Sequence, residues 1–180
     1  MTTKRLVFRH TVEGLFGVAF GDAITPALKE KLREKGLDLD RLAAAYPAEV
    51  YGAAFHLLRE HVHPGVDEQT AGIAMGERFL EGYFSTVMGS LLKTILRVLP
   101  VQSVVERTPK SLETGTNFIK ARVQPLGVRL YEVWMSDYST SPAFLMGVVG
   151  RMVRIAGGKD VSVQLAKQEG SQLTFRLSWS

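Results

Sequence analysis

The sequence contains no cysteine, which excludes disulfides, thiolate metal sites, cysteine nucleophiles and thioester or S-acyl anchors. That absence fits the cytoplasm, the compartment expected here. Histidine is scarce, with four in 180 residues and none after His63. No segment reaches the roughly 18 consecutive uncharged apolar residues of a spanning helix, so no membrane span is expected. The opening MTTKRLVFRHTVEGLFGVAFGD carries Arg9, His10 and Glu13 where a signal peptide needs a clean apolar run, and LFGVAFG is too short and glycine-rich to supply one. A phosphate loop is missing as well, because GERFLEG lacks the Lys-Ser/Thr pair and a preceding strand. There is no G-x-S-x-G elbow, internal repeat, low-complexity tract or linker.

What is present is ordinary for a globular chain: 46% hydrophobic and 22% charged residues, with a net charge of +4. The length predicts a single domain over 1–180, with a mainly helical half (1–100) and a sheet-containing half (101–180). Most basic residues alternate with acids, as in Lys29-Glu30-Lys31 and Arg33-Glu34-Lys35. A nucleic-acid binder concentrates positive charge on one face, so no nucleic-acid partner is expected.

The chain is organised around residues 67–100. At 100° per residue, Ile73, Leu80, Phe84, Val87, Leu91, Ile95 and Val98 share one narrow face, the recurrence of a helix that buries a stripe. An unbroken helix would be about 48 Å long, wider than a small domain, so a break is predicted near Gly82 to Ser85. The rod is expected to be enclosed, with sheet on one flank and helices on the other.

Around it, RLVFRH (5–10) reads as a strand, and LFGVAFGDA as either a second strand or a buried entry into a helix. Thr25-Pro26 starts a helix that stops at Gly36. Residues 38–45 suggest a short helix, and Pro47 opens another that Pro64-Gly65 ends. Residues 101–106, 117–123 and 128–135 read as three antiparallel strands, with turns at Pro109-Lys110 and Pro125-Leu126-Gly127. Ser139 or Ser141 caps a helix that ends at Gly157-Gly158, and a hairpin around Gly170 closes the chain. The fold class is therefore α+β: N-terminal helices with a long central helix, then a β-β-β-α-β-β antiparallel sheet packed on helices.

These residues carry a likeness. The VEGLFG opening, Tyr46-Pro47, the G-x-x-F at Gly76 to Phe79, Thr86-x-x-Gly89, the Asn117 strand and the closing Trp179 resemble a paralogous family of about 180-residue proteins of unknown function, expanded in myxobacteria. That likeness implies no catalytic residues. More distantly, residues 70–179 resemble the fold shared by haem-NO-binding domains, 4-vinyl-reductase-type sensor domains and vesicle-tethering TRAPP subunits. This implies an apolar pocket between long helices and sheet, holding haem or a small apolar ligand, and common dimerisation. The haem-NO-binding Tyr-x-Ser-x-Arg corresponds to Asp137-Tyr138-Ser139-Thr140-Ser141, which keeps only the middle Ser. With no histidine after His63 to act as proximal ligand, haem is disfavoured and no cofactor is expected.

Candidate pocket residues are Ile73, Phe79, Leu80, Tyr83, Phe84, Val87 and Leu91 from the long helix, and Tyr131, Val133, Met135, Phe144, Leu145 and Val148 from later elements; a packed core would use the same residues. Arg107, Lys110, Lys120, Arg122 and Arg129 gather positive charge that could meet an anionic partner, or simply form a solvated face. His56 and Glu60 stand i, i+4 and could approach a metal, but HLLREH is one residue too long for H-x-x-E-H, and helix-end imidazoles that complement the dipole explain the cluster. Asp137, Ser139 and Ser141 suggest a nucleophile only superficially; helix capping accounts for the serines. Gly72 and Gly76 signal close helix packing. The function expected is a non-catalytic, sensor-like small-molecule-binding or interaction module, homodimeric in the manner of its distant relatives, with a protein–protein adaptor of fully packed core as the alternative.

Overall fold

The computed structural model describes residues 4–85 and 87–180, the side chains of residues 87, 88 and 92 excepted. Strand β1 (Leu6–Phe8) leads into α1 (Arg9–Val12), which widens without a break into a π-helical turn over Glu13–Ala19. The apolar glycine-spaced segment is thus a helix, and it buries Leu15, Phe16 and Ala19. Helix α2 (Pro26–Glu34) starts as its sequence predicts: the Leu28 amide donates to Thr25 Oγ1 at 3.2 Å. Gly36 ends it at φ +91°, a conformation that suits glycine.

No helix follows over 38–45, contrary to expectation. The Asp40 amide donates instead to Asp38 Oδ1 at 2.9 Å, and Asp40 itself is held by Lys29 at 2.5 Å and Arg33 at 3.3 Å. The Asp38 side chain closes a local turn on the Asp40 amide, and the ion pairs to α2 hold Asp40 there in place of helical backbone bonds. The chain then enters β2 (Ala45–Pro47), antiparallel to β1 with Val7 opposite Tyr46.

Helix α3 (Ala48–Val62) precedes α4 (Glu68–Tyr83), which is capped by Asp67 accepting from the Thr70 amide at 2.9 Å. That hydrogen bond also holds the Asp67 carboxyl below its usual pKa. The predicted break falls where expected: α4 ends at Tyr83 and α5 runs Val87–Val98. The two halves have different surroundings. Leu80 and Phe84 are buried, whereas Leu91, Ile95 and Val98 are exposed, so the enclosed stripe stops at the break. Val87, placed on that stripe by its spacing, has its side chain outside the described residues.

Residues 101–106 are helical too, within α6 (Val101–Glu113). Their β-branched composition suggests a strand, but Val104, Val105 and Thr108 are the buried positions, and that spacing is helical. Pro109 lies inside this helix rather than in a turn. The sheet therefore has four strands, β3 (Ala121–Gly127), β4 (Leu130–Met135), β5 (Ser162–Glu169) and β6 (Gln172–Ser178), in the order β3-β4-β6-β5 and all antiparallel. Pro125 belongs to β3, next to a bulge, where an edge strand tolerates a residue without an amide proton. Tyr131, Val133 and Met135 alternate inward on β4, and Leu173, Phe175 and Leu177 do so on β6; Glu132, Trp134 and Arg176 take the other face.

Helix α7 (Pro142–Ile155) lies against β5, β6 and α4, with Ser141 Oγ accepting from the Phe144 amide at 3.2 Å as its cap. The α4–α7 contact is backbone against backbone. A Cβ on Gly76 would overlap the Phe144 carbonyl oxygen, and one on Gly147 the Ile73 carbonyl oxygen. Ion pairs Glu77–Arg154 (2.5 Å) and Glu81–Arg151 (2.6 Å) tie the outer edges of the same pair. The architecture is an antiparallel sheet packed on helices: α+β.

Candidate functional site

A cavity of about 100 Å³ opens where β1, α3, α4, α7 and the end of α6 meet. Helix α4 contributes Phe79, Leu80 and Tyr83 to its wall, and α7 contributes Phe144, Leu145, Val148 and Met152. Met135 reaches it from β4, Val7 and Thr11 from the opening of the chain, and Tyr51 from α3. No Asp, Glu, Lys, Arg or His is among the described residues lining it. The dimensions resemble those of cavities that admit a handful of heavy atoms.

Several polar groups around this space are engaged. Thr11 Oγ1 donates to the Gly115 carbonyl at 3.2 Å, and Thr116 Oγ1 accepts from the Ile119 amide at 3.2 Å. Tyr51 differs. It is 3% exposed, its ring meets Phe16 edge-on at 6.2 Å, and its hydroxyl has no hydrogen-bond partner among the described residues. Burial pushes its pKa well above the ordinary tyrosine value, so it stays a neutral donor. The loop over α3 is positioned by a missing side chain: a Cβ on Gly52 would stand 2.6 Å from the Ser139 carbonyl oxygen. That close approach places Tyr138, Ser139 and Thr140 in the wall.

Of the residues singled out by spacing, Phe79, Leu80, Tyr83, Met135, Phe144, Leu145 and Val148 come together here. Phe84 and Val133 are packed elsewhere in the core, Ile73 is half-buried against α7, and Leu91 faces solvent. Tyr131 lines a different, open groove of about 730 Å³ with Val101, Val128 and Trp179; its ring stacks on Trp179 at 5.6 Å and its hydroxyl donates to Glu106 at 3.4 Å. Tyr51 escaped sequence reasoning because an aromatic beside an apolar helix face reads as core. An unmet hydroxyl leaves no mark in a sequence.

The remaining candidates separate. Asp137 accepts from Arg5 at 2.8 Å and from the Tyr138 amide at 2.7 Å, which makes it a clamp between distant segments. The His56 ring packs edge-on against Phe55 at 5.5 Å, and Glu60 lies 3.8 Å from Arg59. No group of three or more His, Asp or Glu side chains among the described residues could hold a metal ion. The basic residues follow the α6–β3 edge, where the Ala121 amide donates to Glu113 at 3.3 Å. Lys120 lies 3.8 Å from Glu113, Arg122 sits over the Trp134 ring at 5.2 Å, Arg107 and Lys110 are exposed on α6, and Arg129 occupies the β3–β4 turn at φ +58°. No helix among the described residues is long and apolar enough to cross a membrane.

A family described as "Protein of unknown function (DUF2378)" matches residues 5–180. No curated protein matches the chain. Solved structures similar to it include a Cs H-NOX mutant carrying 4-cyano-L-phenylalanine, at 11% identity and TM-score 0.72 over 96% of each chain. Another is an oxygen-binding H-NOX domain related to soluble guanylate cyclases, in its oxygen complex, at 12% identity and TM-score 0.63 over 95% of this chain and 92% of that one. A third comes from a study of heme distortion in the H-NOX family, at 12% identity and TM-score 0.64 over 96% and 92%. The fold is therefore similar to that of H-NOX domains nearly end to end, not only over 70–179. This likeness, to a family whose heme distortion has been studied structurally, overturns the expectation that no cofactor is bound and that haem is disfavoured.

Proposed function

The chain belongs to the DUF2378 family, and from that premise we propose that it is a sensor-like module that binds a small, uncharged ligand in the Tyr51 cavity. One observation carries the reading: a neutral hydroxyl, buried in an apolar wall, without, among the described residues, the partner that buried donors almost always have. A ligand with an apolar body and one acceptor atom would complete it. The absence of charged side chains from the described wall argues for a neutral occupant, since an ion there would lose its hydration uncompensated.

Haem enters as the first probe, because the similar structures are H-NOX domains. Tyrosine hydroxyls and methionine thioethers, both known classes of haem-iron ligand, are present in the wall as Tyr51, Tyr83, Met135 and Met152. The volume as it stands suits a group of a few heavy atoms, so a macrocycle requires α4, α6 and α7 to part. When bound, haem would supply a centre for diatomic ligands; the chain's own contribution would be an oxygen or sulfur donor from Tyr51, Tyr83, Met135 or Met152 and a dry apolar surround.

The test is a titration of purified protein with haemin, followed by its visible absorption band, beside a thermal-shift panel of small neutral aromatics and ketones. A saturable response in either arm that is weakened in Tyr51→Phe supports the reading. No response from any probe would leave an adaptor with a filled interior, and the sensor reading would be withdrawn. A homodimer, expected from the distant relatives, belongs to the same proposal and is checked by sedimentation equilibrium.

A further inference from the structure

The walls of the Tyr51 cavity are not held alike. On one side α4 and α7 meet backbone to backbone, and two ion pairs join their outer edges. On the other, Ser111, Leu112, Thr114 and Gly115 close the space from the end of α6. Up to Thr108 that helix is anchored, with Val104, Val105 and Thr108 each no more than 1% exposed. From 109 to 115 no residue is buried.

The two parts of α6 are also weakly joined. Pro109 has no amide proton to give the Val105 carbonyl, so the ladder lacks a rung between the anchored turns and the last one. Thr108 Oγ1 donates to the Val104 carbonyl at 3.2 Å, a back-bond that bends helices. The end of the helix closes on itself, with the Thr114 amide and hydroxyl both donating to the Ser111 carbonyl. Among the described residues, 110–115 are tied to the body at three points. Glu113 accepts from the Ala121 amide and lies 3.8 Å from Lys120; Leu112 packs against the core. The Gly115 carbonyl accepts from the Phe8 amide at 2.9 Å and from Thr11 Oγ1 at 3.2 Å. Past that point the Asn117 side chain clasps Lys4 and Leu6.

We propose that residues 110–115 are a lid on the cavity, hinged at Pro109 and at the Asn117 clasp, and that a ligand enters when Phe8 and Thr11 release the Gly115 carbonyl. Lifting the lid withdraws Leu112 and leaves Val104, Val105 and Thr108 in place, so the fold stays intact while the site is open. The lid rests on the ligand-binding reading of the same cavity and supplies its way in.

A lock for it is within reach. A Cβ on Gly115 would stand 3.9 Å from the Thr11 Cβ, inside the span of a disulfide. Its closest neighbour would be the Thr11 hydroxyl oxygen, which a change to cysteine removes, and the chain has no cysteine of its own to compete. In Thr11→Cys with Gly115→Cys, haemin uptake followed by its visible band should be about tenfold or more slower in the oxidised protein than in the same protein reduced and desalted. A second arm needs no ligand: Met152→Cys puts a single thiol in the cavity wall, to be modified with methyl methanethiosulfonate. Its rate should be insensitive to low concentrations of urea, as local opening is, and Thr11→Ala should raise it about three- to tenfold by removing one of the two donors to Gly115. Modification that only follows global unfolding overturns the lid, as do equal rates with and without Thr11→Ala, or equal uptake by oxidised and reduced protein. Should haemin bind neither form while Thr11→Ala still speeds modification of the thiol, the lid is supported and haemin is excluded as the occupant.

Discussion

Replacing Tyr51 by Phe should stabilise the ligand-free protein. The substitution keeps the ring and its edge contact with Phe16, and removes only a hydroxyl that is buried without a partner among the described residues. Leaving such a group unsatisfied costs about 1–3 kcal/mol, which the variant recovers. In a chain of this size each kcal/mol moves the midpoint by about 2–4 °C, so Tm should rise by about 2–12 °C. Differential scanning calorimetry and urea unfolding would measure it, the latter as a higher midpoint at constant slope. An ordinary buried tyrosine behaves oppositely, because Phe then forfeits a hydrogen bond worth about 0.5–1.5 kcal/mol. The sign is therefore the test. A lowered Tm would mean that the hydroxyl already has a partner in solution, and the observation on which the ligand-binding reading stands would be gone.

Two further outcomes follow from the geometry. Because burial raises the Tyr51 pKa above its ordinary 10.0, the unfolded chain loses that proton first: this group's stabilisation is intact below about pH 10 and declines above it, by about 1.4 kcal/mol per pH unit. The Tm gap between Tyr51→Phe and wild type should accordingly widen with alkalinity, and a gap that stays constant to about pH 11 would contradict the assignment. Gly147→Ala should destabilise by about 1–3 kcal/mol or more, since its methyl group would press on the Ile73 carbonyl and α4 and α7 must separate to admit it; chemical denaturation within about 0.5 kcal/mol of wild type would show that the contact is looser than described.

How far the sequence carried the fold depended on whether a local signal had a competitor. The Thr25 and Ser141 caps, the break after Tyr83 and the alternation in β6 were legible because each pattern has a single structural solution. Residues 101–106 were not, because two signals conflicted: β-branched composition favours a strand, while the helical spacing of buried Val104, Val105 and Thr108 prevailed once α6 could lie along β3. Residues 38–45 failed for a different reason, since Asp38 and Asp40 can cap a helix or replace one and only their contacts with the backbone and α2 decide. On α5, periodicity located the apolar face correctly but says nothing about which way that face points. At the cavity, seven of the spaced apolar residues do meet, but Tyr51 and the loop over Gly52 depend on contacts between segments far apart in the chain.

Asn117 has a consequence for how the chain is made. Its side chain accepts from the Leu6 amide at 2.7 Å and donates to the Lys4 carbonyl at 2.9 Å, while the Phe8 amide donates to the Gly115 carbonyl at 2.9 Å. Strand β1 thus waits, once it has left the ribosome, for a clasp more than a hundred residues downstream, a delay on the order of ten seconds at typical elongation rates. Until it closes, Val7 has no roof and the hollow beneath it has no wall on that side, so the cavity is among the last parts of the molecule to exist.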